Sequence, residues 1–104
     1  MKMSLATLAV LNVLLERLGK PTYGLDIMRT AQLASGTVYP ILARLEAGGL
    51  VSGSWEAAAS VTGRPARRYY VLTGSGERVA REALATARAR IAPSFRPSPG
   101  GALA

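Results

Sequence analysis

Apolar residues near the N-terminus recur at helical spacing and predict a helix over residues 5–18 whose surface is mostly apolar. Ser4 is its predicted N-cap, and Gly19 and Pro21 mark its end. One broad arc of this helix holds Leu8, Leu11, Leu14, Leu15 and Leu18, and Leu5, Val10 and Val13 lie outside it. A helix that is apolar on nearly all sides is buried on nearly all sides. Because a domain of this size rarely covers such a helix alone, we expect a second subunit to cover part of it.

Two further helices follow at short intervals. Pro21 and Thr22 open a second helix over residues 23–30, and a brief connection leads to a third helix over residues 35–47. Ser35 is its predicted N-cap, and the Gly48-Gly49 pair marks its end. The inward face of this third helix is predicted to consist of Val38, Ile41, Leu42 and Leu45.

The pattern then changes to that of strands. Residues 50–56 alternate loosely and contain Val51 and Trp55, and residues 66–72 contain Tyr69, Tyr70 and Val71, so each predicts a strand. The small, polar stretch 57–64 between them predicts the loop of a β-hairpin. Trp55, the only Trp, is interpreted as core or hairpin packing rather than as a ligand platform. Thr73 caps a fourth helix that runs to about residue 91 and ends at Pro93.

Three helices with a hairpin directly after the third predict a winged helix-turn-helix. The fold class is therefore mainly α with a small β-hairpin (α+β). We expect a DNA-binding domain over residues 1–73, a C-terminal dimerisation helix over 74–92 and a disordered tail rich in Pro, Gly and Ala over 93–104. In this arrangement the third helix enters the major groove and the hairpin loop touches the flanking backbone.

Composition narrows the function. The chain carries 13 Lys and Arg against 6 Asp and Glu, a net charge of +7, and 11 of the basic residues are Arg. This bias suits a polyanionic partner, although a genome rich in G and C would also favour Arg codons. The chain has no Cys and no His, which excludes disulfides, Cys/His zinc sites and a His general base, so we expect no enzyme activity, no cofactor and no metal.

Two segments, the third helix and the hairpin loop, supply the candidate DNA contacts. The outward centre of the third helix is small, so it permits close approach to a groove and leaves few side chains that read base edges. The hairpin loop concentrates three cations in five residues, at Arg64, Arg67 and Arg68. The simpler alternatives are a solvated helix face and a solvated basic turn. The predicted DNA-binding residues are Ser35, Thr37, Tyr39, Arg44, Arg64, Arg67 and Arg68.

The fourth helix carries a thin apolar stripe that either packs on its own domain or forms a seam with a second copy. We favour the seam, because the first helix also has excess apolar surface. The predicted dimer residues are Leu8, Leu11, Leu15, Val79, Ala83, Leu84, Ala87 and Ile91. A two-fold dimer would present two recognition helices to a pseudo-palindromic operator, about one helical turn apart.

Several motifs resemble those of one known protein family. The run from Ser35 to Glu46, with Gly49-Leu50-Val51 after it, resembles that family's third helix. Gly63-Arg64-Pro65 and the segment from Arg67 to Thr73 resemble its wing, and Tyr23-Gly24-Leu25-Asp26-Ile27 resembles its second helix. The family that these motifs resemble is the PadR family of bacterial transcriptional regulators. The resemblance implies a dimeric winged-helix repressor, DNA contacts from Thr37, Tyr39 and the three wing arginines, and in some members a small effector near the dimer interface.

The sequence departs from the family at Leu25, where many relatives have an aromatic residue, and in its short, Ala-rich last helix. Two other functions stay open: a winged helix that binds proteins without a DNA target, and a sensor whose DNA affinity responds to a small apolar or phenolic compound. We expect a cytoplasmic protein with double-stranded DNA as partner and no membrane association, because the apolar N-terminal run is too short to span a bilayer and lacks a signal-peptide cleavage site.

Overall fold

The computed structural model describes residues 3–57 and 63–95, without the side chains of 92–95. Four helices surround a small antiparallel sheet, so the predicted mainly α fold class with a small hairpin is confirmed. The elements are α1 (Leu5–Glu16), β1 (Thr22–Tyr23), α2 (Gly24–Ala31), α3 (Ser35–Ala47), β2 (Val51–Trp55), β3 (Arg68–Leu72) and α4 (Gly74–Phe95).

Helix α1 begins as predicted and ends two residues early. The Ser4 hydroxyl accepts a hydrogen bond from the Thr7 N–H at 3.1 Å, which caps the helix. The buried side of α1 centres on Val10, Leu11 and Leu14, each at most 1 % exposed, and Val13 lies beside them. Leu5 is 80 % exposed, so the described residues cover little of this outermost apolar position.

The turn between α2 and α3 is tight. Helix α2 ends at Ala31, and its C-cap Gln32 adopts a left-handed conformation (φ 57°). The Leu33 N–H then donates to the Met28 carbonyl. Helix α3 has Ala34 as its N-cap, and Ser35 is already its first helical residue. The prediction that Ser35 caps α3 is therefore wrong: the chain turns into the helix one residue earlier, and no side chain caps it.

The hairpin forms as predicted, and a third strand joins it. Strands β2 and β3 pair from Val51↔Leu72 to Trp55↔Arg68. The two-residue strand β1 pairs with the other edge of β3, Thr22 opposite Tyr70 and Tyr23 opposite Tyr69. The strand order is therefore β1-β3-β2. A strand of two residues has no periodicity to detect, so the sequence pattern placed residues 22–23 at the start of a helix.

Helix α4 is longer than predicted. The Thr73 hydroxyl accepts from the Gly76 N–H at 3.0 Å, which confirms the predicted cap, and donates to the Gly49 carbonyl at 2.7 Å. The predicted end at Pro93 is wrong, because the helix continues to Phe95. Ala and Arg, strong helix formers, dominate the preceding turns, so the loss of one hydrogen bond at Pro93 near the helix end is tolerated. The rest of the predicted tail, 96–104, lies outside the described residues.

The core lies where the first three helices meet the sheet and the start of α4. Its fully buried large side chains are Val10, Leu11, Leu14, Ile27, Val38, Leu42 and Leu45. Within the described residues, no helix combines the length and the apolar character needed to cross a membrane.

Candidate nucleic-acid interface

The two faces of α3 separate cleanly. The predicted inward residues are at most 3 % exposed, which confirms them as core: Val38, Ile41, Leu42 and Leu45. The opposite face is open to solvent over the predicted contact residues Ser35, Thr37, Tyr39 and Arg44, with Gly36, Pro40, Ala43 and Ala47 between them. Small side chains in the centre of an exposed helix face allow a groove to approach closely.

Tyr39 reaches from α3 to the first residue of α2. A Cβ atom on Gly24 would lie 2.8 Å from the Tyr39 hydroxyl oxygen and 3.0 Å from its Cε1, so the ring lies directly against the Gly24 backbone. Tyr39 is nevertheless 41 % exposed. The glycine therefore lets the tyrosine ring lie across the start of α2 while its outer edge stays in solvent.

Arg64 is tied to the end of β2 by Glu56. Its Nη1 and Nη2 donate to the two carboxylate oxygens of Glu56 at 2.9 and 3.1 Å. The Arg67 backbone N–H donates to the same carboxylate at 3.3 Å, and the Glu56 N–H donates to the Arg67 carbonyl at 2.7 Å. The Arg64 hydrogen bond holds the pKa of the Glu56 carboxyl below its usual range, and Glu56 in turn raises the pKa of Arg64.

Arg68 joins the hairpin to α3. Its Nη2 donates to the Glu46 carboxylate at 2.7 Å, and its guanidinium lies over the Trp55 ring at 5.1 Å from the centroid. Gly53 makes room for this pair, because a Cβ there would lie 2.6 Å from Arg68 Nη2. Trp55 is 65 % exposed, so its interpretation as a core residue is wrong, and its contact with Arg68 is packing within the hairpin.

Arg67 has a different environment. Its guanidinium lies over the Tyr23 ring at 4.6 Å from the centroid, and the Tyr23 and Tyr69 rings are 5.9 Å apart. Within residues 3–57 and 63–95, no carboxylate forms an ion pair with the Arg67 side chain. Arg67 is thus held by aromatic contact, and its charge lowers the pKa of the Glu56 carboxyl from a distance, without an ion pair between the two side chains.

These side chains enclose one cleft between the hairpin and α3, with a volume of about 420 Å³. The structure brings Tyr39 together there with the three wing arginines, and Ser35, Thr37 and Arg44 lie outside the lining. Sequence reasoning missed Tyr23 as part of this site and the two carboxylates that hold arginines. The run Arg67-Arg68-Tyr69-Tyr70 indicates a basic and aromatic surface, but the contact partners of each side chain depend on strand register.

A second surface lies between the start of α1 and α4. Its lining includes Met3, Leu8, Val79, Ala83 and Ala87, and the groove has a volume of about 640 Å³. Two predicted dimer residues belong elsewhere: Leu11 and Leu84 are 0 and 9 % exposed within their own chain, so they are core residues rather than surface available to a partner. Leu15 is half-buried, and Ile91 is 46 % exposed.

The described residues contain no group of three or more His, Cys, Asp or Glu side chains placed to hold a metal ion. The site that remains is a basic and aromatic cleft beside an exposed helix face. Its chemistry is hydrogen-bond donation and positive charge, which are the means by which proteins hold the phosphate backbone of nucleic acids.

Comparison with known proteins gives the same picture. The model of the PadR-like family of transcriptional regulators matches residues 10–82. A PadR-like transcription factor from Bacteroides fragilis is 33 % identical with a TM-score of 0.63, over 79 % of this chain and 79 % of that one. No curated protein sequence matches the chain.

Two solved structures at lower identity share the fold. A PadR family transcription regulator from Clostridium difficile R20291 is 22 % identical with a TM-score of 0.69, over 88 % of this chain and 98 % of that one. BpsR from Bordetella bronchiseptica, whose DNA binding is regulated by 6-hydroxynicotinic acid, is 23 % identical with a TM-score of 0.72, over 98 % of this chain and 73 % of that one. With most of its length matched by the family model, the chain belongs to the PadR-like family of transcriptional regulators.

Proposed function

We propose that this chain is a transcriptional repressor that binds a pseudo-palindromic operator in duplex DNA as a homodimer. One observation carries the proposal: the exposed, small-residue face of α3 lies beside a cleft lined by three arginines. Because the target is chromosomal DNA, we place its action in the cytoplasm.

In the proposed complex, α3 enters the major groove and the hairpin lies along the adjacent backbone. Ser35, Thr37, Tyr39 and Arg44 face the groove walls. The three wing arginines face the flanking phosphates. Phosphate contacts position a protein without reading sequence, so DNA shape, methyl contacts and half-site spacing would carry much of the discrimination.

The proposed dimer uses the groove between α1 and α4. From residue 85 to residue 91, every side chain of α4 except that of Ala87 is exposed, so this half of the helix has little cover from its own domain. An isolated helix this short is marginal in water, and a second copy would supply the missing contacts. The proposed surface comprises Leu8, Leu15, Val79, Ala83, Ala87 and Ile91, together with Met3 and the exposed Leu5.

An effector stays a prediction from the family resemblance. A small molecule that changes DNA affinity must bind two dimer geometries with different affinities. The groove between α1 and α4 lies on the proposed dimer surface, so a compound bound there would contact the helices that set the dimer geometry.

Fluorescence anisotropy with a labelled random duplex at several salt concentrations tests the DNA-binding function. We expect the logarithm of the binding constant to fall with the logarithm of salt concentration by about 0.9 for each phosphate neutralised. A protein-interaction module without a DNA target would give no binding at any salt concentration, which would overturn the proposal. Selection of bound duplexes from a random pool then tests specificity, and a recovered site without two-fold symmetry would contradict the dimeric mode.

A further inference from the structure

The charge of the hairpin is smaller than its arginines suggest. We propose that Glu46 and Glu56 determine specificity by compensating two of the three wing arginines, so that only Arg67 contributes net charge toward non-specific phosphate binding. This inference rests on the proposed DNA-binding function.

Glu56 holds Arg64 through both of its carboxylate oxygens. The bidentate pair, at 2.9 and 3.1 Å, leaves the Glu56 side chain 14 % exposed and that of Arg64 36 % exposed. The Arg64 Nη1 also donates to the Pro65 carbonyl at 3.1 Å. Charge-assisted bidentate pairs have high geometric specificity. If a DNA phosphate drew Arg64 away from Glu56, the largely covered Glu56 carboxylate would lose its main partner and would lie near the negative phosphate.

Glu46 holds Arg68 in a comparable way from the inward edge of α3. Arg68 Nη2 lies 2.7 Å from Glu46 Oε2, and the side chain of Glu46 is 36 % exposed and that of Arg68 26 % exposed. The Trp55 ring covers one face of the guanidinium, and the room left by Gly53 brings the pair close to the strand. Arg68 therefore acts as a positioning residue that ties the hairpin to the recognition helix.

The consequence follows from counterion release. Non-specific affinity depends on how many phosphates a protein neutralises, and each contributes about 0.9 to the salt slope. An arginine that stays paired with a carboxylate can still donate hydrogen bonds, but the pair as a whole neutralises no phosphate. Low non-specific affinity favours a regulator that must find one operator among many competing sites, because specificity is the ratio of the two affinities.

The test compares single charge removals by anisotropy on random duplex and on a duplex selected by the wild-type protein. We expect Glu56→Gln and Glu46→Gln each to steepen the salt slope by about 0.9 and to raise affinity for random duplex about eightfold at 0.1 M salt. The gain on the selected duplex is smaller, so the specificity ratio falls. Glu77→Gln is the matched control, because Glu77 pairs with Arg81 on α4 at 2.9 Å.

Two further measurements separate charge from folding. Arg67→Ala should lower the slope by about 0.9, because Arg67 is the wing arginine without an ion pair among the described residues, and thermal unfolding of each variant shows whether it stays folded. Equal slopes for Glu56→Gln, Glu46→Gln, Glu77→Gln and the wild type would overturn the inference, as would weaker binding of random duplex by the two wing variants. Absence of binding by the wild type would instead refute the proposed DNA-binding function.

Discussion

Replacement of Gly24 by Ala tests how α2 controls the recognition face of α3. The new Cβ would lie 2.8 Å from the Tyr39 hydroxyl oxygen, whereas ordinary van der Waals contact begins near 3.4 Å. The ring must therefore retreat by about 0.6 Å. Because Tyr39 is 41 % exposed, it can swing outward into solvent without disturbing the core.

The expected change in stability is small. Alanine stabilises a helix by up to about 1 kcal/mol relative to glycine, and displacement of the Tyr39 ring costs a similar amount of folding free energy. The expected change in DNA affinity is larger. If the displaced hydroxyl loses one hydrogen bond to the backbone, the cost is about 0.5–1.5 kcal/mol, which weakens binding by about two- to twelvefold.

Thermal unfolding and anisotropy on a selected duplex measure the two effects. Gly74→Ala is the matched control, since Gly74 is also the first residue of its helix and a Cβ there meets nothing within 4 Å. The decisive measurement is a double-mutant cycle with Tyr39→Ala. If Gly24→Ala weakens binding as much in the Tyr39→Ala background as in the wild type, the effect does not pass through Tyr39 and the reasoning is refuted.

Three further variants test the fold, the hairpin and the proposed dimer. Gly76→Ala should destabilise the fold by about 2–3 kcal/mol in thermal unfolding, because its Cβ would overlap the Leu50 carbonyl. The same carbonyl accepts a 3.0 Å hydrogen bond from the Thr73 N–H just before α4. Stability equal to that of Gly74→Ala would contradict this packing. Glu56→Gln should lower the melting temperature at pH 7 and match the melting temperature of the wild type in strong acid. Because the pKa of Glu56 is lowered in the folded state, its carboxylate stabilises the fold above the ordinary carboxyl pKa, and this stability is lost as the pH falls through the folded-state pKa. A difference in melting temperature that is independent of pH would exclude the ion pair as its source. Val79→Asp should shift a dimer to monomer in light scattering, and an unchanged mass would exclude the α4 seam. Ala89→Asp is the control, because Ala89 is an exposed residue of the same helix outside the lining of the groove.

Much of the fold follows from local pattern. The inward stripe of α3 and the hairpin each carry a periodicity that spans a whole element, so their types are predictable. The cap at Thr73 is readable for a similar reason, since a hydroxyl before a helical pattern has one favoured use. The exposed face of α3 follows directly from its buried one.

The unpredicted features depend on long-range contact. Glu46 and Arg68 are 22 positions apart, and their ion pair exists only because α3 packs against β2, which pairs with β3. Likewise, Leu11 and Leu8 look alike as apolar helix positions, yet one is core and the other lines a groove. Periodicity states that a face is apolar, but it does not state which neighbour covers it.

The short strand β1 limits which parts of this molecule can move relative to one another. It is hydrogen-bonded to β3, and α2 begins at the very next residue, so the hairpin and the helix-turn-helix are joined at their bases. The hairpin therefore cannot swing away from the recognition helix without breaking this sheet. Each subunit of the proposed dimer would bind DNA as a single rigid unit. Regulation would then change the distance and angle between the two subunits, and DNA affinity would depend on how well these match the spacing of the operator half-sites.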